Sequence, residues 1–159
     1  MVISLAADEL TGVAGALGEE LERRGHAVIR HGALVASSPA SAPEGEGDGE
    51  RSDWAWASER VARDVAEGRA EQGVVCCWTG TGASIAANKV PGVRAALCAD
   101  AATAAGARRW NDANVLALSL RATSAAELVE ILDAWLSSQP SADAQDLANV
   151  EHLTAIERA

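Results

Sequence analysis

The stretch VVCCWTGTGASIAANK, residues 74–89, holds the side chains best suited to chemistry in this chain. An apolar run ends in Cys76, Cys77 and Trp78, then breaks into Thr79, Gly80, Thr81, Gly82, Ala83 and Ser84. Glycines alternating with small hydroxyl residues suit a tight turn at a helix start, where backbone N–H groups face an anion or a developing oxyanion. The same glycines also fit a turn with no further role. A thiol beside such a turn suits a base or a nucleophile; a small buried hydrophobe fits the same position. Two stricter phosphate motifs fail. Lys89 follows Asn88 and precedes Val90, so there is no P-loop Gly-Lys-Ser/Thr, and Ile85 stands where a dinucleotide fingerprint needs its third glycine.

The other reactive side chains are few. Cys76 and Cys77 are adjacent in an extended run and so point to opposite faces; Cys98 lies in another run. His26, His31 and His152 are scattered, and no Cys/His ligand spacing occurs, so neither a metal, a disulfide framework nor a cofactor is expected. The net charge is −10 with a single lysine, which argues against a nucleic-acid partner. No apolar run approaches the roughly 20 residues a bilayer span needs. The N-terminus MVISLAADEL has no basic region or cleavage signal, so a cytoplasmic location and no membrane are expected.

Short apolar runs alternating with helical periods must position these residues. Strands are predicted at 2–6, 26–32, 73–77, 92–98 and 114–120. The helical stripes are Leu10-Val13-Ala14-Leu17-Leu21, Trp54-Ala57-Val61-Val65, residues 84–90, the Ala-rich 101–110, and Leu128-Ile131-Leu132-Trp135 behind a Ser124/Glu127 capping box. Residues 36–52 are Ser/Pro/Gly/acidic with no apolar period and read as an irregular inserted surface loop. Pro140 separates a last helix at about 142–157. Length 159 fits one domain. The alternation predicts a three-layer α/β/α, Rossmann-like domain with a five-stranded parallel sheet in the common order 2-1-3-4-5. Its switch point lies between the first and third strands, so Asp8-Glu9 and Cys77-Trp78-Thr79-Gly80 meet at the pocket.

CWTGTGASIAANKVPGVRAALCAD followed by RRWNDANVLAL resembles the ribose-5-phosphate isomerase B and galactose-6-phosphate isomerase family, which typically reads C-G-T-G-x-G-x-S-I-A-A-N-K and then R-x-H-N-D-x-N-V-L. The resemblance is most specific over 73–121. It implies metal-independent aldose–ketose isomerisation of a small-molecule sugar phosphate through an enediolate. It places the catalytic cysteine on Cys77, the loop threonine on Thr79, the oxyanion-binding turn on Gly80 to Ser84, substrate-binding residues on Asp8 and Asn111, and an anion-binding arginine on Arg121. It also implies a homodimer or homotetramer with pockets near the interface and the C-terminal helix on the partner.

The departures are specific too. The family histidine after the aspartate is Glu9, the glycine after the cysteine is Trp78, and the histidine credited with ring opening is Trp110. The tail segment that supplies phosphate-binding arginines corresponds to SADAQDLANVEH, which has none. Trp78 and Trp110 suit the walls of a pocket, or core packing. Three readings follow. The first is an isomerase or epimerase using Cys77 on a carbonyl compound other than a simple phosphosugar. The second is a non-catalytic relative that binds a small ligand or a homologous partner chain. The third is an ordinary ribose-5-phosphate isomerase.

Overall fold

The computed structural model describes residues 1–35 and 51–158. The expected loop over 36–52 lies almost wholly outside the described residues. Five strands, β1 (Val2–Ala7), β2 (Ala27–Gly32), β3 (Gln72–Cys77), β4 (Ala95–Leu97) and β5 (Val115–Ser119), form one parallel sheet. The helices are α1 (Ala14–Arg23), α2 (Trp54–Ala66), α3 (Thr81–Ala87), α4 (Ala101–Asn111), α5 (Ala125–Ser137) and α6 (Ala144–Glu157).

The strand order is β2-β1-β3-β5-β4, which corrects the expected 2-1-3-4-5 at its far end. The reason is burial. Residues 115–118 of β5 are buried on both faces, as an interior parallel strand must be. β4 has three residues, none of them buried, and takes the edge. The switch point between β1 and β3 is unaffected, and Ala7 pairs with Cys76 there.

The two faces of the sheet are packed differently. On one, Ile3, Leu5, Val74, Cys76, Leu116 and Leu118 meet large side chains of α1 and α5 and small ones of α4. On the other, Ala6, Val75, Cys77 and Ala117 meet Ala57, Val61 and Ala62 of α2 and Ala83 and Ala87 of α3. Small residues let these two helices approach closely: a Cβ on Gly73 would stand 2.6 Å from Val61. Adjacent Cys76 and Cys77 therefore belong to opposite cores, as strand alternation requires. The Ser124/Glu127 capping box opens α5 as expected. α1 starts at Ala14, and Leu10 is exposed rather than part of its stripe.

α2 is tied to the sheet by polar contacts as well. Asp64, buried, accepts from the Ser4 hydroxyl at 2.7 Å and from Arg69 Nε at 2.7 Å, and pairs with His31 Nε2 at 2.7 Å. Burial acts to raise the Asp64 pKa. The Ser4, His31 and Arg69 contacts outweigh it and hold the carboxyl below its ordinary value.

Candidate active site

Cys77 ends β3, with 5% of its surface exposed. Its carbonyl accepts the N–H of Gly80 at 3.1 Å and of Leu120 at 3.0 Å, which fixes the turn and joins β3 to the end of β5. Gly80 then adopts φ +76°, the left-handed region that a Cβ disfavours. An added Cβ would also meet Leu97 Cδ1 at 2.5 Å and the Leu118 carbonyl at 2.9 Å. The turn therefore needs glycine for two independent reasons.

α3 begins at Thr81, three residues earlier than the spacing predicts, so Thr81 to Ser84 form its first turn rather than a loop before it. The Ala83 N–H points at Cys77 Sγ, 3.4 Å away. The contact places one backbone donor on the sulfur. The N–H groups of Thr81 and Gly82, which open the helix without intrahelical acceptors, are therefore those left for a ligand oxygen. The hydroxyls of Thr79 and Thr81 lie 2.7 Å apart on the exposed side of the same turn.

On the β1 side, Asp8 follows the strand end. Its Oδ1 is buried with no hydrogen-bond partner among the described residues. Burial raises its pKa, and the negative charges of Glu9 and Asp53 add to that against opposing backbone hydrogen bonds. Glu9 itself is exposed. On the β5 side, a cavity of about 620 Å³ is lined by Thr79, Leu97, Ser119, Arg121, Thr123 and Glu127. The Arg121 N–H donates to the Trp78 carbonyl at 3.0 Å and the Ser119 hydroxyl to the same oxygen at 2.9 Å, so the turn and the β5 end move as one piece.

The structure thus brings together Asp8, Cys77, Thr79, the turn from Gly80 to Ser84 and Arg121. It does not bring Trp110 and Asn111 to them. Those residues end α4, just before β5 begins, and Val115 at that start pairs with Gly73, not with the Cys77 end. Four strand steps, about 13 Å, separate the two ends of the sheet. Trp78 (52% exposed) and Trp110 (56% exposed) therefore do not wall one pocket within a single chain. Neither is core, so the packing alternative fails for both.

Two residues near the turn escaped the sequence reading. Trp54, assigned only to a helix stripe, lays its ring on Gly82: a Cβ there would stand 3.0 Å from the indole. Asn88 lies inside the motif, yet its contacts to Ser84 and Ala95 have no counterpart in any spacing rule. Among the described residues, no group of His, Cys, Asp and Glu could hold a metal ion. Among the same residues no helix is long and apolar enough to cross a membrane.

The sequence pattern of the Ribose/Galactose Isomerase family matches residues 3–153. Ribose-5-phosphate isomerase B of Escherichia coli (strain K12) is 37% identical over 133 residues, spanning 84% of this chain and 87% of that protein. Galactose-6-phosphate isomerase subunit LacB of Clostridium acetobutylicum is 33% identical over 150 residues, 92% of this chain and 79% of that one. The structure of Trypanosoma brucei type B ribose 5-phosphate isomerase superposes with a TM-score of 0.80 at 33% identity, covering 98% of this chain and 97% of the other. With the motif at the end of β3, the sheet and nearly the whole length in agreement, the chain belongs to the ribose/galactose isomerase family of sugar-phosphate isomerases.

Proposed function

We propose that this protein is an isomerase in which Cys77 moves a proton between adjacent carbons of an open-chain carbonyl sugar. The observation that carries the reading is the N–H of Ala83 aimed at a sulfur that ends β3, beside a left-handed Gly80 turn. The thiolate takes the proton from the carbon next to the carbonyl, and the electron pair forms the enediolate. The N–H groups of Thr81 and Gly82 face its developing negative oxygen. The thiol returns the proton to the neighbouring carbon while the hydroxyl proton passes between the two oxygens, assisted by Thr79. Nothing is consumed beyond the isomerised substrate. Arg121 holds the anionic end, and the partner copy supplies Trp110 and Asn111, which lie too far from Cys77 in their own chain.

The substrate reading follows from what the site lacks. With Trp110 at the ring-opening position and no arginine in 141–152, a ring-closed phosphosugar loses both an acid/base and its charge partners. A charged hydrogen bond contributes about 1.5–3 kcal/mol, so losing two lowers affinity by roughly two to four decades. A second reading, an ordinary ribose-5-phosphate isomerase, is favoured by the similarity to the E. coli protein over most of both chains.

One pair of probes separates them. Ribulose 5-phosphate has no hydroxyl able to close a five-membered ring on its carbonyl, whereas ribose 5-phosphate is predominantly cyclic. The proposal expects solvent deuterium to enter ribulose 5-phosphate faster than ribose 5-phosphate is turned over, and Cys77→Ala to abolish that entry while leaving the fold intact. Efficient turnover of ribose 5-phosphate establishes the second reading instead. Full exchange in the Cys77→Ala protein refutes the cysteine base.

A further inference from the structure

The reading of Cys77 as base leaves open what keeps the Ala83 N–H on its sulfur, because α3 is poorly equipped to hold itself. It has seven residues, far below the length at which a helix is stable alone. Its N-cap Gly80 has no side chain to bond the first turn, and it buries only Ala83 and Ala87.

The missing restraint comes from Asn88, the residue that follows the helix. Its Oδ1 accepts the N–H of Ala95 at 2.8 Å. Its Nδ2 donates to the Ala95 carbonyl at 2.8 Å and to the Ser84 carbonyl at 3.0 Å. Both amide hydrogens and one oxygen lone pair are therefore used, and the pattern dictates which end of the amide is nitrogen. β4 is an edge strand paired only with β5, and Ala95 directs its N–H and carbonyl away from β5. The Asn88 amide satisfies both groups as a neighbouring strand would. By the same atom it grips Ser84, the residue directly after the one whose N–H touches the thiol.

We infer that Asn88 is a positioning residue: by clamping α3 to the edge of β4 it holds the Ala83 N–H on Cys77 Sγ. The inference rests on the Cys77 reading for its catalytic meaning but not for its geometry. It requires the whole amide rather than its volume. Asn88→Asp keeps the size and the acceptor for Ala95, but it removes both donors and sets a carboxylate oxygen against two carbonyls.

The test uses amide hydrogen exchange of Ala83 by NMR together with deuterium entry into ribulose 5-phosphate. In folded Asn88→Asp and Asn88→Ala proteins, Ala83 exchange should rise at least about tenfold while β3 and β5 amides keep their protection. The exchange kcat should fall about tenfold with KM within about twofold, because the sulfur loses its donor rather than the site its ligand. In Cys77→Ala the Ala83 amide should lose protection as well, since its acceptor is gone. Unchanged Ala83 exchange in either folded Asn88 variant overturns the inference. So does full protection of Ala83 in Cys77→Ala, a control that stands even where neither Asn88 variant folds. Should the Asn88 variants loosen Ala83 while Cys77→Ala retains turnover, the clamp is supported and the cysteine base is what fails.

Discussion

Asp8 shows how one atom in this site sets stability against function. Its Oδ1 is buried without a partner among the described residues, and burial raises its pKa above that of a free aspartate. A carboxyl whose folded pKa lies above its unfolded value disfavours folding once the pH exceeds the unfolded value, because the unfolded chain releases its proton first. Asp8→Asn should therefore raise the melting temperature at pH 7, by less than the 2–4 °C that about 1 kcal/mol gives in a chain of this size, because solvent screens a partly exposed carboxylate. The gain should vanish as the pH falls below 4, where both side chains are neutral. Differential scanning calorimetry at pH 7 and pH 3.5 checks it; equal gains at both values would rule out charge burial as the cause. Turnover should drop in the same variant. At this scale much was legible in the sequence: Cys77, Thr79, the glycine turn and Asp8 stand at the expected strand ends. The Ala83 contact to sulfur was not, since only the early start of α3 aims that N–H at the thiol.

At the scale of elements, α2 rests on the sheet through alanines and valines and through the buried carboxylate of Asp64. Removing Asp64 takes a hydrogen-bond acceptor from His31, from Arg69 and from the buried Ser4 hydroxyl, and a buried polar group that loses its partner costs about 1–3 kcal/mol. Asp64→Ala should destabilise the protein by that order in urea unfolding, with the native fold retained at zero denaturant. Because the Asp64 pKa is lowered on folding, its contribution is present at neutral pH and lost as the pH falls below the ordinary aspartate value. The penalty of the variant should shrink in acid accordingly; a pH-independent penalty would mean that packing, not charge, is what Asp64 supplies. The helical stripes and all five strands could be read from periodicity, β4 being shorter than its run predicts. The order of the last two strands could not, because periodicity reports which faces are apolar and not which edge is free. Comparing NVLALSL with the shorter, less apolar β4 run carries the answer, since only the former can be covered on both faces.

For the whole molecule, α6 is the element a single copy leaves unexplained. It buries none of its side chains, and Leu147, Leu153 and Ile156 remain exposed. The family resemblance implies that a second copy covers such a helix, and the distance from Cys77 to Trp110 and Asn111 requires a partner if all of them serve one site. Leu153→Glu with Ile156→Glu should yield monomers by sedimentation equilibrium, with deuterium entry into ribulose 5-phosphate reduced at least about tenfold. Monomers of full activity would show that each chain works alone and that Trp110 and Asn111 play no part. The strand order has one more consequence, for a chain emerging from the ribosome. β3, which ends in Cys77, meets β1 early, but its other edge stays bare until residues 115–119 are synthesised. β4 is made before β5 and has no sheet neighbour until β5 slides between them. Until residues 115–121 are free to pair, the half-sheet keeps an open, apolar edge, and the turn after Cys77 lacks the bonds that Leu120 and Arg121 give it.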